Sequence, residues 1–229
     1  MPKAIYKIHR ATPQDLNTII QLIDEASKWL RLKGTDQWAR PWPDAESRRQ
    51  RILDGMRNGI TWIVRDGDDT VATISMTSVG NPLLWSPEER REPAVYLHRL
   101  VVSRKYAGQG VGAALLEWAA QQGRIRYGAE IVRIDVWQDN LALHSYYRRL
   151  GFKSPSGTDE TEVRVRDKNF WPSGAVFQRD ISNTTAHHIS QRIIFIPEPQ
   201  NSSPFEISRH RYDTPFSAFA LRTATASPW

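Results

Sequence analysis

The sequence predicts an α/β (α+β) fold, and three observations support that prediction. Segments that alternate apolar and polar residues, as strands do, recur between segments with the 3.6-residue periodicity of amphipathic helices. Apolar residues make up 40% of the 229 residues and aromatic residues 10%, which is enough for a packed core. The third observation is a strand–loop–helix unit over residues 100–116, between the other predicted strands and helices.

Periodicity and capping residues predict the order of strands and helices. The strand-like segments are residues 6–10, 61–65, 70–77, 94–102, 130–137, 161–165 and 174–179. The helical segments are residues 12–33, 45–57, 111–127 and 140–150. Thr12 and Asp44 are of the types that cap helix N-termini, and Gly34 is typical of a helix end. Residues 66–69 have the composition of a hairpin turn.

The composition divides the chain after residue 180. Residues 1–180 contain the predicted core segments, whereas residues 181–229 are rich in Ser, Thr, Asn, Pro and His. Two apolar islands lie in this C-terminal extension, at residues 192–197 and 216–221, and the first is strand-like. Because leaving such islands in water is unfavourable, we expect the extension to pack on the core or on a second subunit of a homodimer. A solvated tail is the alternative.

The composition also argues against several classes of function. The chain has no cysteine, and therefore no thiol nucleophile, disulfide or Cys-ligated zinc. His187, His188 and His210 lack partners at metal-ligand spacing, so we predict no metal site. No apolar run approaches the ~20 residues of a membrane span, and the N-terminus lacks a signal-peptide pattern. We expect a cytoplasmic protein without membrane contact.

Three glycines at alternate positions open the helix of the central unit. Gly108, Gly110 and Gly112 remove Cβ atoms from the loop, so a ligand can approach the backbone closely. The N–H groups there lie at the positive end of the helix dipole, which is a favourable position for phosphate. Any tight strand-to-helix turn can be glycine-rich, so a purely structural turn is the alternative.

A second motif follows about thirty residues later. Strand-like residues 130–137 precede a short helix that is stopped by a glycine. Asn140, Tyr147, Gly151 and Phe152 match the pattern Asn-x(6)-Tyr-x(3)-Gly-Phe. Together with the glycine turn, this motif closely resembles the GCN5-related N-acetyltransferase (GNAT) superfamily, over about residues 4–180. The resemblance implies a central mixed, mostly antiparallel, twisted sheet flanked by helices and splayed at the cofactor site.

The resemblance implies acetyl-CoA as the cofactor and locates its binding residues. The turn would bind the pyrophosphate through backbone N–H groups, and the end of the preceding strand would pair with pantetheine and polarise the thioester oxygen. The implied cofactor-binding residues are Leu100, Val101, Val102, Ala107, Gly108, Gln109, Gly110, Val111, Gly112, Ala113, Asn140 and Tyr147. The family usually has Arg or Gln at the position of Ala107. One phosphate donor is therefore lost, and Arg104 and Lys105 are candidates to compensate.

Two residues of the second motif have both functional and structural interpretations. Tyr147 matches the family tyrosine that often protonates the departing thiolate, and an ordinary phenol is protonated at neutral pH. Packing of the last helix on the sheet is the alternative. Asn140 is implied to contact pantetheine and is also a typical helix cap.

The general base and the acceptor site are predicted from residues near the strand ends. Tyr96 and His98 lie two apart on one strand and therefore share a face of the sheet. His98 has an intrinsic pKa suited to taking the amine proton, and Asp135 on the next strand is a second candidate. Trp38 and Trp42 follow the first helix and are candidates to bind an amine by cation–π contact. We assign Trp38, Trp42, Tyr96 and Asp135 to the acceptor, although each residue also has an ordinary structural interpretation.

The sequence thus predicts an acetyl-CoA-dependent N-acetyltransferase that transfers to a primary amine of a small molecule or peptide by direct attack in a ternary complex. Two alternatives stay open at this point. The net charge of +6 and Ala107 give weak support to an enzyme that uses or modifies aminoacyl-tRNA, although the sequence contains no nucleic-acid motif. A catalytically silent binding module would show a blocked cleft.

Overall fold

The computed structural model describes residues 3–182 and 193–197. Eight strands in the described part form one sheet. They are β1 (Ala4–Arg10), β2 (Thr61–Asp66), β3 (Asp69–Thr77), β4 (Ala94–Val102), β5 (Ile131–Val136), β6 (Glu162–Val163), β7 (Ala175–Asp180) and β8 (Ile193–Pro197). The α-helices are α1 (Leu16–Leu32), α2 (Ala45–Arg57), α3 (Val111–Tyr127) and α4 (Leu141–Arg149).

The sheet is mixed and mostly antiparallel, as predicted. The strand order is β6-β7-β5-β4-β3-β2-β1-β8. Parallel pairing occurs between β4 and β5 and between β1 and β8, and the other pairs are antiparallel. Because β4 and β5 run in the same direction, α3 crosses between them, and the turn that opens this helix lies where β4 ends.

Helices cover both faces of the sheet. Residues of α1 and α2 pack with Ile63 and Val101 in one apolar cluster. Residues of α3 and α4 pack in the larger cluster, which includes the neighbours of Ile63 on β2, Trp62 and Val64. Since successive strand residues point to opposite faces, these two clusters lie on opposite sides of the sheet. The predicted fold class is confirmed.

The C-terminal extension contributes a strand at the edge of the sheet. β8 pairs with β1 in parallel, from Ala4 opposite Ile193 to Ile8 opposite Pro197. Phe195 packs against Tyr6 and Trp118, with ring centroids 6.4 Å apart in both pairs. The second apolar island, residues 216–221, lies outside the described residues. The division of the chain at residue 180 and the homodimer stay predictions.

A glycine brings α3 into close contact with β4. A Cβ at Gly123 would lie 2.6 Å from Cγ1 of Val95, a side chain with no exposed surface. We predict that Gly123→Ala lowers the free energy of unfolding by about 1–3 kcal/mol, because overpacking outweighs the helix propensity gained. Denaturant unfolding of this variant in the wild-type and Val95→Ala backgrounds measures the effect. The loss of unfolding free energy caused by Gly123→Ala should be smaller in the Val95→Ala background. An equal loss in both backgrounds would contradict the packing explanation.

Candidate active site

The two central strands diverge where the predicted cofactor site lies. The parallel pairing of β4 with β5 ends at Leu97 opposite Ile134. The register between β3 and β4 also shifts, between Thr73 and Ser75, and Arg99 opposite this shift has φ +49°. The edge of β4 beyond this bulge therefore borders a gap rather than a paired strand, and two cavities occupy the gap.

The glycine turn presents backbone N–H groups to the larger cavity. Gly108 and Gly110 have φ +77° and +83°, a left-handed conformation that favours glycine. A Cβ at either position would meet nothing within 4 Å, so conformation rather than crowding requires glycine there. The first bond of the α3 ladder joins Ala114 N–H to the Gly110 carbonyl at 3.0 Å. The N–H groups of the three residues before Ala114 precede this ladder and lie at the positive end of the helix dipole, which is a favourable position for an anion.

The larger cavity has a volume of about 850 Å³. It is lined by most of the residues predicted to bind the cofactor, namely Leu100, Val101, Val102, Ala107, Gly108, Gly110, Val111, Gly112, Ala113 and Asn140. Gln109 is the exception within the turn. Its exposed side chain donates from Nε2 to the Lys105 carbonyl at 3.2 Å and does not line the cavity.

Two basic side chains line the cavity that the glycine turn borders. Arg104 lines the larger cavity, and its guanidinium carbon lies 3.9 Å from the ring centroid of Trp29 on α1. Lys33 lines the same cavity, with its Nζ 5.8 Å from that ring. Lys105, the other predicted substitute for Ala107, instead pairs with Asp69 on the hairpin.

Asn140 is a buried helix cap. Its Oδ1 accepts from Leu143 N–H at 3.0 Å, and its Nδ2 donates to Gln37 Oε1 at 2.6 Å. The cap occupies the amide oxygen, and the bond to Gln37 occupies the amide nitrogen. Asn140 also lines the larger cavity, so the predicted pantetheine contact stays a prediction.

The smaller cavity contains a histidine–carboxylate pair. His98 and Asp135 project from the diverging ends of β4 and β5, and Nδ1 of the imidazole lies 2.9 Å from Oδ1 of the carboxylate. Both side chains are mostly buried, with 15% and 12% of their surface exposed. A carboxylate beside Nδ1 favours the tautomer that carries its proton there, which makes Nε2 the basic nitrogen. The sequence had suggested these residues as separate candidates, and the structure pairs them.

Two adjacent tyrosines of α4 border the cavities. Tyr147 lines the smaller cavity and packs edge-on against Phe152, with centroids 5.5 Å apart. Burial, followed by the proximity of Tyr146 and Asp135, raises the pKa of the Tyr147 phenol well above its usual value. Tyr146 lines both cavities, and its hydroxyl would lie 3.1 Å from a Cβ at Gly112. The sequence had not identified Tyr146, because the motif selects its neighbour.

The three aromatic residues predicted to contact the acceptor have different positions. Trp38 lines both cavities, and Trp42 lines the smaller one. One face of Trp42 already lies near the Arg51 guanidinium, 5.3 Å from its centroid. Tyr96 lines neither cavity: it is 2% exposed and its hydroxyl accepts from Arg133 Nη1 at 3.1 Å. The assignment of Tyr96 to the acceptor therefore has no geometric support, because the ring belongs to the core.

The smaller cavity also contains residues that sequence reasoning missed. It has a volume of about 240 Å³, and arginines contribute much of its polar lining. They are Arg40, Arg48, Arg51 and Arg99. From the sequence alone, Arg48 and Arg51 are expected on the solvent-exposed face of α2. Arg99 is expected to be an ordinary residue of a strand. No local signal separates such residues from ordinary surface charge.

Comparison with known proteins agrees with this geometry. Residues 23–152 match the family described as "Acetyltransferase (GNAT) family". The chain belongs to this family of acetyltransferases. It is 31% identical over 162 residues to YesJ of Bacillus subtilis (strain 168), described as an uncharacterized N-acetyltransferase. That alignment covers 69% of this chain and 87% of YesJ.

Solved structures share the fold at lower sequence identity. A GNAT-family acetyltransferase from Listeria monocytogenes 4b F2365 aligns with a TM-score of 0.58 at 19% identity, over 77% of this chain and 95% of its own. The PaiA N-acetyltransferase from Thermoplasma acidophilum, solved in complex with coenzyme A, aligns with a TM-score of 0.54 at 16% identity. That alignment covers 76% of this chain and 98% of PaiA.

The described part of the chain comprises residues 3–182 and 193–197. Within them, no helix has the length and apolar character needed to cross a bilayer. The same residues contain no group of three or more His, Asp or Glu side chains arranged to hold a metal ion. His187, His188 and His210 lie outside the described part.

Proposed function

We propose that this protein transfers an acetyl group from acetyl-CoA to a primary amine, by direct attack within a ternary complex. The observation that carries the proposal is that the two cavities meet. Both are lined by Gln37, Trp38, Leu100, Leu143 and Tyr146. A donor in the larger cavity and an acceptor in the smaller one would therefore face each other at the open edge of β4. Such juxtaposition converts a bimolecular reaction into an effectively unimolecular one.

The larger cavity is suited to the donor. The N–H groups at the start of α3 would bind the pyrophosphate, and Arg104 and Lys33 would supply the positive charge that Ala107 lacks. Pantetheine would extend along Leu100 to Val102, where backbone groups border the gap. An N–H on this edge would also donate to the thioester oxygen as negative charge develops on it.

The smaller cavity is suited to the acceptor. The amine nitrogen attacks the thioester carbon, which forms the C–N bond and then breaks the C–S bond. His98 would accept the amine proton at Nε2, directly or through water, while Asp135 orients the ring and stabilises the imidazolium. Trp38 and Trp42 would form part of the cavity wall around the acceptor.

Tyr147 would assist departure of the thiolate. Its raised pKa keeps the phenol protonated at neutral pH, so it is available as a donor. The same shift makes complete proton transfer less favourable, and a hydrogen bond to the departing sulfur is therefore its main role. The proton that finally neutralises the thiolate would come from this phenol or from solvent. A catalytically silent module is disfavoured, because the described part of the cleft contains open cavities rather than a blocked one.

The direct test of the proposal is release of free thiol from acetyl-CoA in the presence of a panel of primary amines. We expect thiol release to require both the protein and an amine, and mass spectrometry to find the acetylated amine. Hydrolysis at the same rate with and without amines would contradict acyl transfer.

Gly110→Glu should abolish acetyl-CoA binding, because a carboxylate would occupy the anion site at the start of α3. Gly157→Glu is the matched control: Gly157 has φ +77°, a Cβ there meets nothing within 4 Å, and it lines neither cavity. Calorimetric titration of both variants with acetyl-CoA measures the effect. Equal affinity in the two variants would remove the assignment of the turn to phosphate.

His98→Ala should lower kcat by about 10²-fold at neutral pH, since a general base contributes at least that much. Asp135→Asn should lower kcat less than His98→Ala does, because the carboxylate acts through the imidazole. Acetyl-CoA affinity should be unchanged in both variants. An unaltered kcat in Asp135→Asn would show that the pair is only structural.

Tyr147→Phe should lower kcat by about tenfold or more while leaving acetyl-CoA affinity nearly intact, because the phenol acts on the leaving group. Tyr127→Phe, at the end of α3 and outside both cavities, is the matched control. Steady-state kinetics of thiol release measure both variants. If Tyr146→Phe shows the loss and Tyr147→Phe does not, the role belongs to Tyr146.

A further inference from the structure

Arginines outnumber carboxylates among the residues that line the smaller cavity. Asp135 is its single carboxylate among the described lining residues, against four arginines. Arg48 is offset by Asp24 on α1, with Nη1 and Oδ1 2.9 Å apart. Even so, Nε of Arg48 is buried without a hydrogen-bond partner among the described residues. Asp135 is itself shared, since it pairs with His98.

The position of Arg99 in the cavity wall depends on two backbone features that are locally unfavourable. It adopts φ +49°, which is uncommon and unfavourable for a residue with a Cβ. Opposite it, Gly55 lies within α2, and a Cβ there would lie 3.3 Å from Arg99 Nη2 and 2.8 Å from Thr61 Oγ1. A glycine inside a helix is also unfavourable. The missing Cβ at Gly55 leaves room for the Arg99 guanidinium beside α2.

Arg99 has little to neutralise it in this position. Its Nη2 donates to Ser75 Oγ, a neutral group, at 3.3 Å. Burial, and then repulsion by Arg51, lower the pKa of Arg99 to about 10, whereas Asp135 acts in the opposite direction. Arg99 therefore stays charged at neutral pH, and the Arg51 guanidinium lies close enough to repel it. Two like charges in a partly buried wall are stabilised when an anion binds next to both of them.

We infer that the acceptor carries an anionic group, a carboxylate or a phosphate, next to its primary amine, and that Arg51 and Arg99 bind this group. The inference rests on the proposed acetyl transfer and narrows its substrate class. The amine end would face His98 and Asp135, and the anionic end would face the arginines. Diamines and polyamines would meet the same arginines with the wrong sign of charge and are excluded as good acceptors.

Matched amines that differ in charge test this inference. The first pair of probes is β-alanine and its neutral partner β-alaninamide, the second is 2-aminoethyl phosphate and its neutral partner ethanolamine, and 1,4-diaminobutane is tested alone. Each probe is titrated into the full chain preloaded with coenzyme A. Each is also assayed for thiol release from acetyl-CoA. We expect the anionic member of at least one pair to bind roughly tenfold more tightly than its neutral partner. The pair with the larger ratio of affinities, anionic member to neutral member, shows whether the site prefers a carboxylate or a phosphate.

Variants assign the preference to the arginines. Arg99→Gln and Arg51→Gln should each reduce the ratio of the affinities for the anionic and the neutral amine to near one. Neither variant should change the affinity for acetyl-CoA, and this result would rule out an effect on the cofactor phosphates. Arg57→Gln is the matched control, because Arg57 is on the same helix, has a side chain 60% exposed and lines neither cavity. It should keep the preference.

Equal binding within both pairs, including no binding of any member, or a preference for 1,4-diaminobutane, would overturn the inference while leaving acetyl transfer intact. A protein that binds no acetyl-CoA and releases no thiol would instead overturn the proposed function.

Discussion

The divergence of β4 from β5 is the constraint on which the rest of the site depends. Two parallel strands that stay paired would leave no unpaired edge in the middle of the sheet. Here the pairing ends at Leu97 opposite Ile134, three residues after it begins at Ala94 opposite Ile131. Backbone N–H and C=O groups beyond that point need partners, and a bound ligand can provide them. The larger and the smaller cavity both border this edge.

The bulge on β4 links the shape of the cleft to its charge. The register shift opposite Arg99 turns the strand and directs an arginine towards α2, where Gly55 leaves room for it. β-bulges commonly reorient side chains next to active sites. Where the pairing of β4 with β5 ends, His98 and Asp135 still lie close enough to pair. The bulge therefore directs an arginine into the cleft on the same stretch of β4 that carries the histidine.

Local signals account for the parts of this structure that the sequence predicted well. The bounds of α2 and α3 agree with the prediction, because Asp44 and Gly110 precede them and Gly128 ends α3 in a left-handed conformation. The glycine turn was also recognisable, since its chemistry lies in contiguous backbone. Each of these features depends only on residues that are close to it in the sequence.

The smaller cavity could not be predicted in the same way, because its residues come together only through packing. Arg51 lies on an apparently solvated helix face, and Tyr96 shares a strand face with His98 but points into the core against Trp85. The Trp29–Arg104 contact joins α1 to the turn across 75 residues of chain. Such contacts depend on the sheet order and on the bulge, neither of which appears in local periodicity.

Calorimetric titration of the full chain with acetyl-CoA, at low and at moderate salt, tests the central claim most directly. A donor site at the open edge of β4 predicts saturable binding to a single site with a dissociation constant on the micromolar scale, about −8 kcal/mol. Binding should weaken as salt rises, because Arg104, Lys33 and the helix N-terminus act on phosphate charge. Absence of saturable heat at both salt concentrations would contradict the claim that this gap is a coenzyme A site.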